Sequence, residues 1–205
     1  MNHQKNFPAI IELLLGIILI ASVMIGYIPE IEYIHELTCL SNFLSGVLLL
    51  VTGIRRLLGK NNWPGWFYNC SLVTVFLVFL VCMGSLSGMY HMNFEGAFLF
   101  LHVLNPLAIF VYYILLVTEK KQGSLRYVFL TPCFAIFYLF VDYLVGKQTG
   151  SFVYGFFEPA ELDFISALLV GIVFYIMLLI LGILFYFINK VVHRLGTAPA
   201  GRWNR

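Results

Sequence analysis

Six runs of about twenty apolar residues, joined by short connections, leave this chain few ways to fold. They cover Phe7–Tyr27, Leu37–Leu57, Trp66–Gly84, Gly96–Val117, Tyr127–Val145 and Phe164–Ile188. A helix of ~20 residues spans the ~30 Å hydrocarbon layer of a bilayer, and every run meets that length. The 205 residues are 61% hydrophobic and only 11% charged, with a mean hydropathy of +0.92. A water-soluble domain of this size lacks the polar side chains to cover so much apolar surface, whereas lipid needs none. The expected fold is all-α: a single polytopic membrane domain over residues 1–205 with six transmembrane helices. The first run is too long for the apolar region of a signal peptide, lacks a small-residue cleavage site and carries Glu12, so it is expected to be retained.

Charge sets the expected orientation. The N-terminus, the second and fourth loops and the C-terminal tail carry 11 of the 12 Lys and Arg residues, all but Lys147. Basic residues stay on the cytoplasmic side, so both termini are expected there. The odd loops, on the outer side, hold Glu30, Glu32, Glu36, Glu95, Glu158, Glu161 and Asp163. Tyr33, Trp63, Trp66 and Tyr90 fall at the interfaces, where amphipathic rings settle. In a bacterial cell this topology implies the plasma membrane. The net charge of +2 and scattered basic residues give no footprint for nucleic acid.

Depth then follows from residue number. Thr38 falls at the outer end of the second span, followed at helical spacing by Ser41, Asn42 and Ser45. His102 falls ~9 Å inside the fourth span, and Asn105 one turn deeper. Asp142 falls near the outer end of the fifth, one turn after Tyr138. Polar side chains in lipid turn inward, so Thr38, Ser41, Asn42, His102, Asn105 and Asp142 are expected to converge in the outer half. Each also has a plainer reading. Thr38 is a helix-packing threonine, His102 a structural hydrogen bond, and Asp142 an interfacial carboxylate. Ser41 and Ser45 read as a small-residue packing pair. Glu12 reads as snorkelling to the cytoplasmic interface or paired there. Pro106 and Pro132 are expected to kink the helices that contain them.

Several chemistries are disfavoured. "GSLSG" (Gly84 to Gly88) places Leu86 where a serine-hydrolase elbow needs its serine. His3, His35, His91 and His193 lie in loops or tails, away from any haem-binding pair of facing helices. A zinc site lacks ligands for the same reason, and no cofactor or metal is expected. Cys39, Cys70, Cys82 and Cys133 sit in apolar runs without CxxC spacing and read as buried thiols. Internal repeats and the paired broken helices of many transporters do not stand out.

Three segments carry a resemblance: "LTCLSNFL" from Leu37, "LHVLNPLAIFVYYILL" from Leu101, and "TGSFVYGFFEP" from Thr149 to Pro159. With the six-span topology, they resemble the androgen-induced membrane protein family and its bacterial six-helix relatives. The animal members of that family are intramembrane hydrolases of fatty acid esters of hydroxy fatty acids. Gly155 stands where that family often has proline, and the loops here are shorter. The resemblance implies a threonine nucleophile at Thr38 and a histidine base at His102. Asn42, Asn105 and Asp142 would support them, and the outer loop bearing Phe152, Tyr154, Phe156 and Glu158 would cap the substrate cavity. The implied substrate is a membrane lipid or fatty-acyl ester. Two other classes fit the same residues: a six-helix transport or ligand-binding protein, and a scaffold whose polar residues hold helices together.

Overall fold

The computed structural model describes residues 3–61, 63–84, 96–118, 124–153 and 163–196. The described residues contain helices and turns only, and six of the helices are long and apolar enough to cross a membrane. They are α1 (His3–Tyr27), α2 (Leu37–Leu57), α3 (Gly65–Gly84), α4 (Gly96–Leu116), α5 (Cys133–Thr149) and α6 (Phe164–Gly196). α6 turns Phe164, Ile165, Leu169, Val173, Ile180, Val191 and Leu195 outward, each more than half exposed. So long an exposed apolar face suits lipid and not water, which makes this a multi-pass membrane protein.

α3 is apolar all round, the pattern of a helix enclosed by others. It packs on α2, α4, α5 and α6, and Leu72, Val73 and Val75 are fully buried. α1 packs chiefly on α2 and α4. The α1–α2 pairing is close because glycines face backbone across it. A Cβ built on Gly16 would fall 2.9 Å from the Gly46 carbonyl oxygen and 2.7 Å from Leu50 Cγ. Small residues let membrane helices approach in this way and gain dispersion contacts. Gly16→Ala is therefore expected to push the pair apart and cost ~1–3 kcal/mol, read as a lower midpoint of thermal unfolding in detergent.

Asparagines bracket the remaining helices. Asn69 Nδ2 on α3 donates to the Gly182 carbonyl of α6 at 3.1 Å. Asn189 Nδ2 on α6 donates to Tyr113 O at 2.6 Å and Val117 O at 2.8 Å, carbonyls at the C-terminal end of α4. A helix end leaves such carbonyls without intrahelical donors, and lipid offers no water to replace them. Ser71 Oγ donates to Ser45 Oγ at 2.6 Å, so Ser45 is a polar bridge between α2 and α3 as well as a small packing residue.

The two prolines behave differently. α4 passes through one π-helical segment, Phe100–Leu104, directly before Pro106. The Asn105 N–H donates to Phe100 O, five residues back. At that spacing the donor for Leu101 O would be residue 106, a proline with no N–H. Pro132, expected inside the fifth helix, stands instead at its start: Leu125–Leu130 forms a 3-10 turn and α5 begins at Cys133. Proline suits a helix start, where its missing N–H has no partner to lose.

α5 ends at Gly150, whose φ of +75° suits a residue without Cβ and whose N–H donates to Gly146 O at 2.8 Å. Asp163 begins α6, accepting the Ser166 N–H at 2.8 Å as an N-cap. Hydrogen bonds from Ser166 hold the Asp163 carboxyl below its ordinary value. The carboxylate form of this cap therefore stabilises the fold above the unfolded aspartate value of ~4, and its contribution is lost as pH falls through the lower folded value. Thermal unfolding across that range should show wild type losing stability relative to Asp163→Asn, whose amide caps without titrating. Two expectations about buried groups change. Cys39 and Cys82 are buried, but Cys70 is half-buried and Cys133 is exposed on the first turn of α5. Glu12 does not snorkel: it is 0% exposed.

Candidate active site

Thr38 lies in the first turn of α2, 4% exposed. Glu36 precedes this helix with extended backbone and gives it no side-chain cap, since its carboxylate accepts the Tyr27 hydroxyl at 2.7 Å. One turn on, Asn42 is fully buried. Its Nδ2 donates to Thr38 O at 2.9 Å and across the helix boundary to Leu101 O at 3.3 Å. The second acceptor is the carbonyl that the π segment and Pro106 leave short of a donor. Asn42 thus supplies from α2 what α4 lacks.

His102 follows Leu101 in the same π segment and is half-buried. Its ring stacks on Phe98 with centroids 4.1 Å apart, and Nδ1 lies 3.0 Å from Phe98 O. A carbonyl only accepts, so Nδ1 carries the proton in the neutral ring and Nε2 bears the lone pair. A backbone carbonyl thereby sets the tautomer, with no side chain from the expected supporting residues needed for it. Asn105 Nδ2 instead donates to Asn42 Oδ1 and to Ser22 Oγ, both at 2.9 Å. Ser22 on α1 is a member of this cluster that the sequence reading passed over. A serine inside an apolar span was the available signal, and a weak one.

Ser22, Asn42 and Asn105 therefore meet where α1, α2 and α4 pack, joined to Thr38 through its carbonyl, while His102 follows Leu101 with its ring against Phe98 of its own helix. Asp142 is held elsewhere. It is buried on α5, which packs on α3 and α6, and its Oδ1 accepts the Val153 N–H at 3.0 Å, folding the outgoing chain back on its own helix. Phe152 lies over Gly146 of the same helix, where any Cβ would collide with the ring. The other proposed lid residues, Tyr154, Phe156 and Glu158, lie outside the described residues. Asn42 has no amide hydrogen left to donate to an oxyanion, because both meet carbonyls.

A second polar cluster occupies the opposite end of the same three helices. Arg56 of α2 donates from Nε to Glu12 Oε2 at 2.8 Å and from Nη2 to Oε1, and the Tyr112 hydroxyl of α4 donates to Oε1 at 2.9 Å. Tyr68 OH lies 3.1 Å from Thr52 Oγ1 nearby. Glu12 is paired, one of its two expected readings, but inside the bundle. No group of three or more His, Cys, Asp or Glu side chains among the described residues is arranged to hold a metal ion. No family model, curated protein or solved structure matches the chain.

Proposed function

We propose that the chain is an intramembrane hydrolase of lipid esters, with Thr38 as nucleophile and His102 as general base. The observation that carries this reading is the Asn42 amide nitrogen, hydrogen-bonded to the carbonyl of Thr38 on one side and to that of Leu101, next to His102, on the other. The resemblance of the three motif segments supports the same pair, and the basic loops, expected on the cytoplasmic side, support a place for it in the outer half of the bilayer.

A threonine hydroxyl is a weak nucleophile near neutral pH and needs a base within hydrogen-bond reach. The imidazole is suited to this, with its proton held on Phe98 O and its Nε2 lone pair available. In the first step Nε2 takes the Thr38 proton as the hydroxyl oxygen attacks the acyl carbonyl. The alcohol then leaves with that proton, giving an acyl-threonine. Water attacks this ester, His102 again takes the proton, and fatty acid and free Thr38 are released. The early amides of α2, the positive end of that helix, favour the negative oxygen of each tetrahedral intermediate. A lipid acyl chain reaches the site sideways from the bilayer, since the helices present apolar faces to it.

The test is covalent. A fluorophosphonate probe should label the purified protein, and the label should map to Thr38. A folded Thr38→Ala protein that is labelled and hydrolyses esters as wild type does would sink the proposal and favour a ligand-binding or transport role.

A further inference from the structure

We infer that Asn42 is a positioning residue for the Thr38–His102 pair, and that Ser22, through Asn105, braces its amide from the oxygen side. This rests on the hydrolase reading above.

The hydrogen-bond chain has a defined direction. Ser22 Oγ donates to Leu19 O at 2.8 Å, and a carbonyl can only accept, so the hydroxyl proton is spent there. Ser22 Oγ therefore offers a lone pair to Asn105, which must turn its nitrogen that way, 2.9 Å distant. The other hydrogen of that nitrogen then meets Asn42, which must present its oxygen, again at 2.9 Å. With Oδ1 so committed, Asn42 directs Nδ2 at the two carbonyls of Thr38 and Leu101. Acceptor-only carbonyls at both ends settle every amide orientation between them. Ser22, Asn42 and Asn105 are at most 5% exposed, so water does not compete for these bonds.

This chain does more than hold helices together. It ties the backbone of the nucleophile to the backbone beside the base through a single amide. Proton transfer needs Thr38 and His102 within hydrogen-bond reach, and a misplacement of ~1 Å can cost ~100-fold in rate. Ser22→Ala deletes the distal anchor, leaving one Asn105 amide hydrogen unpaired and loosening the bond that braces Asn42 Oδ1. Asn42→Asp keeps the shape but replaces both donated bonds by a carboxylate facing two carbonyls.

The test uses the full chain in detergent with a p-nitrophenyl octanoate probe, alongside Thr38→Ala and His102→Ala. Ser22→Ala is expected to lower kcat ~10-fold and Asn42→Asp ~100-fold, with KM within ~2-fold of wild type. Ser22→Thr keeps the hydroxyl and should restore most of the rate. If Asn42→Asp does not fold, Ser22→Ala and Ser22→Thr decide alone. A lower unfolding midpoint with unchanged kcat per folded molecule would mean a structural brace only and would overturn the inference. With Thr38→Ala and His102→Ala inactive, that result leaves the hydrolase reading standing. Full activity in Thr38→Ala removes both.

Discussion

Thr38→Ala should lower ester hydrolysis by at least ~10³-fold while the protein stays folded, and His102→Ala by ~10²–10⁴-fold. The threonine loss is large because no neighbouring group replaces the attacking oxygen. Ser41, one turn on, donates to Thr38 O at 3.4 Å and points along its own helix. The histidine loss is smaller because water at the site can take the proton poorly. The double variant should be scarcely slower than Thr38→Ala, because a base without its nucleophile has nothing to activate. Thr38→Ser should keep a substantial rate, since it retains the hydroxyl. Initial rates on a chromogenic ester, with unfolding midpoints measured on the same preparations, check all four. Equal losses in every variant, tracking loss of fold, would defeat the mechanism.

Arg56→Met should destabilise the protein by ~3–5 kcal/mol, the largest effect on stability expected of any single change described above. Glu12 is 0% exposed and takes both its charged hydrogen bonds from Arg56. Without the guanidinium, its carboxylate remains buried with Tyr112 as its one described donor. Leaving a charge uncompensated in a bundle interior is far more costly than removing the whole pair. The double variant Glu12→Gln, Arg56→Met should therefore recover most of the stability. Thermal unfolding in detergent measures both, and the folded fraction should keep its kcat because the cluster lies at the far end from Thr38. A double variant no more stable than Arg56→Met would show that burial of the charge is not the cause.

The spans were legible because twenty apolar residues in a row have one economical solution, and four of the six begin and end within a few residues of the runs seen in the sequence, while α5 starts only at Cys133. α6 runs through Gly196, past the expected Ile188: Asn189 is sheltered against the end of α4, Lys190 reaches over Tyr186, and His193 and Arg194 occupy the last turn, where positive charge suits the helix C-terminus. Position along each helix followed from residue number alone. Azimuth did not. Asp142 is expected at a height like that of Thr38, yet it belongs to a helix packed on α3 and α6, and no periodicity in α5 says so. The partners of Ser22, Asn69 and Asn189 were hidden for the same reason: a lone polar residue in a span announces that it needs a partner without naming which helix supplies it. Pro106 gave half of its information. It promised a disturbance in α4, but not that a side chain from α2 would make up the missing bond.

The Glu12–Arg56 pair bears on how such a chain enters a bilayer at all. A charged side chain costs ~2.5–3.5 kcal/mol at the middle of an inserting helix and less toward its ends, where Glu12 and Arg56 stand. α1 alone carries a carboxylate and α2 alone a guanidinium, but folded on each other they present lipid with a joined, net-neutral couple. The glycines that let the two backbones touch bring the two side chains within reach of each other. The smallest piece of this chain that a membrane accepts cheaply is therefore a hairpin, with the single helix only half of the unit.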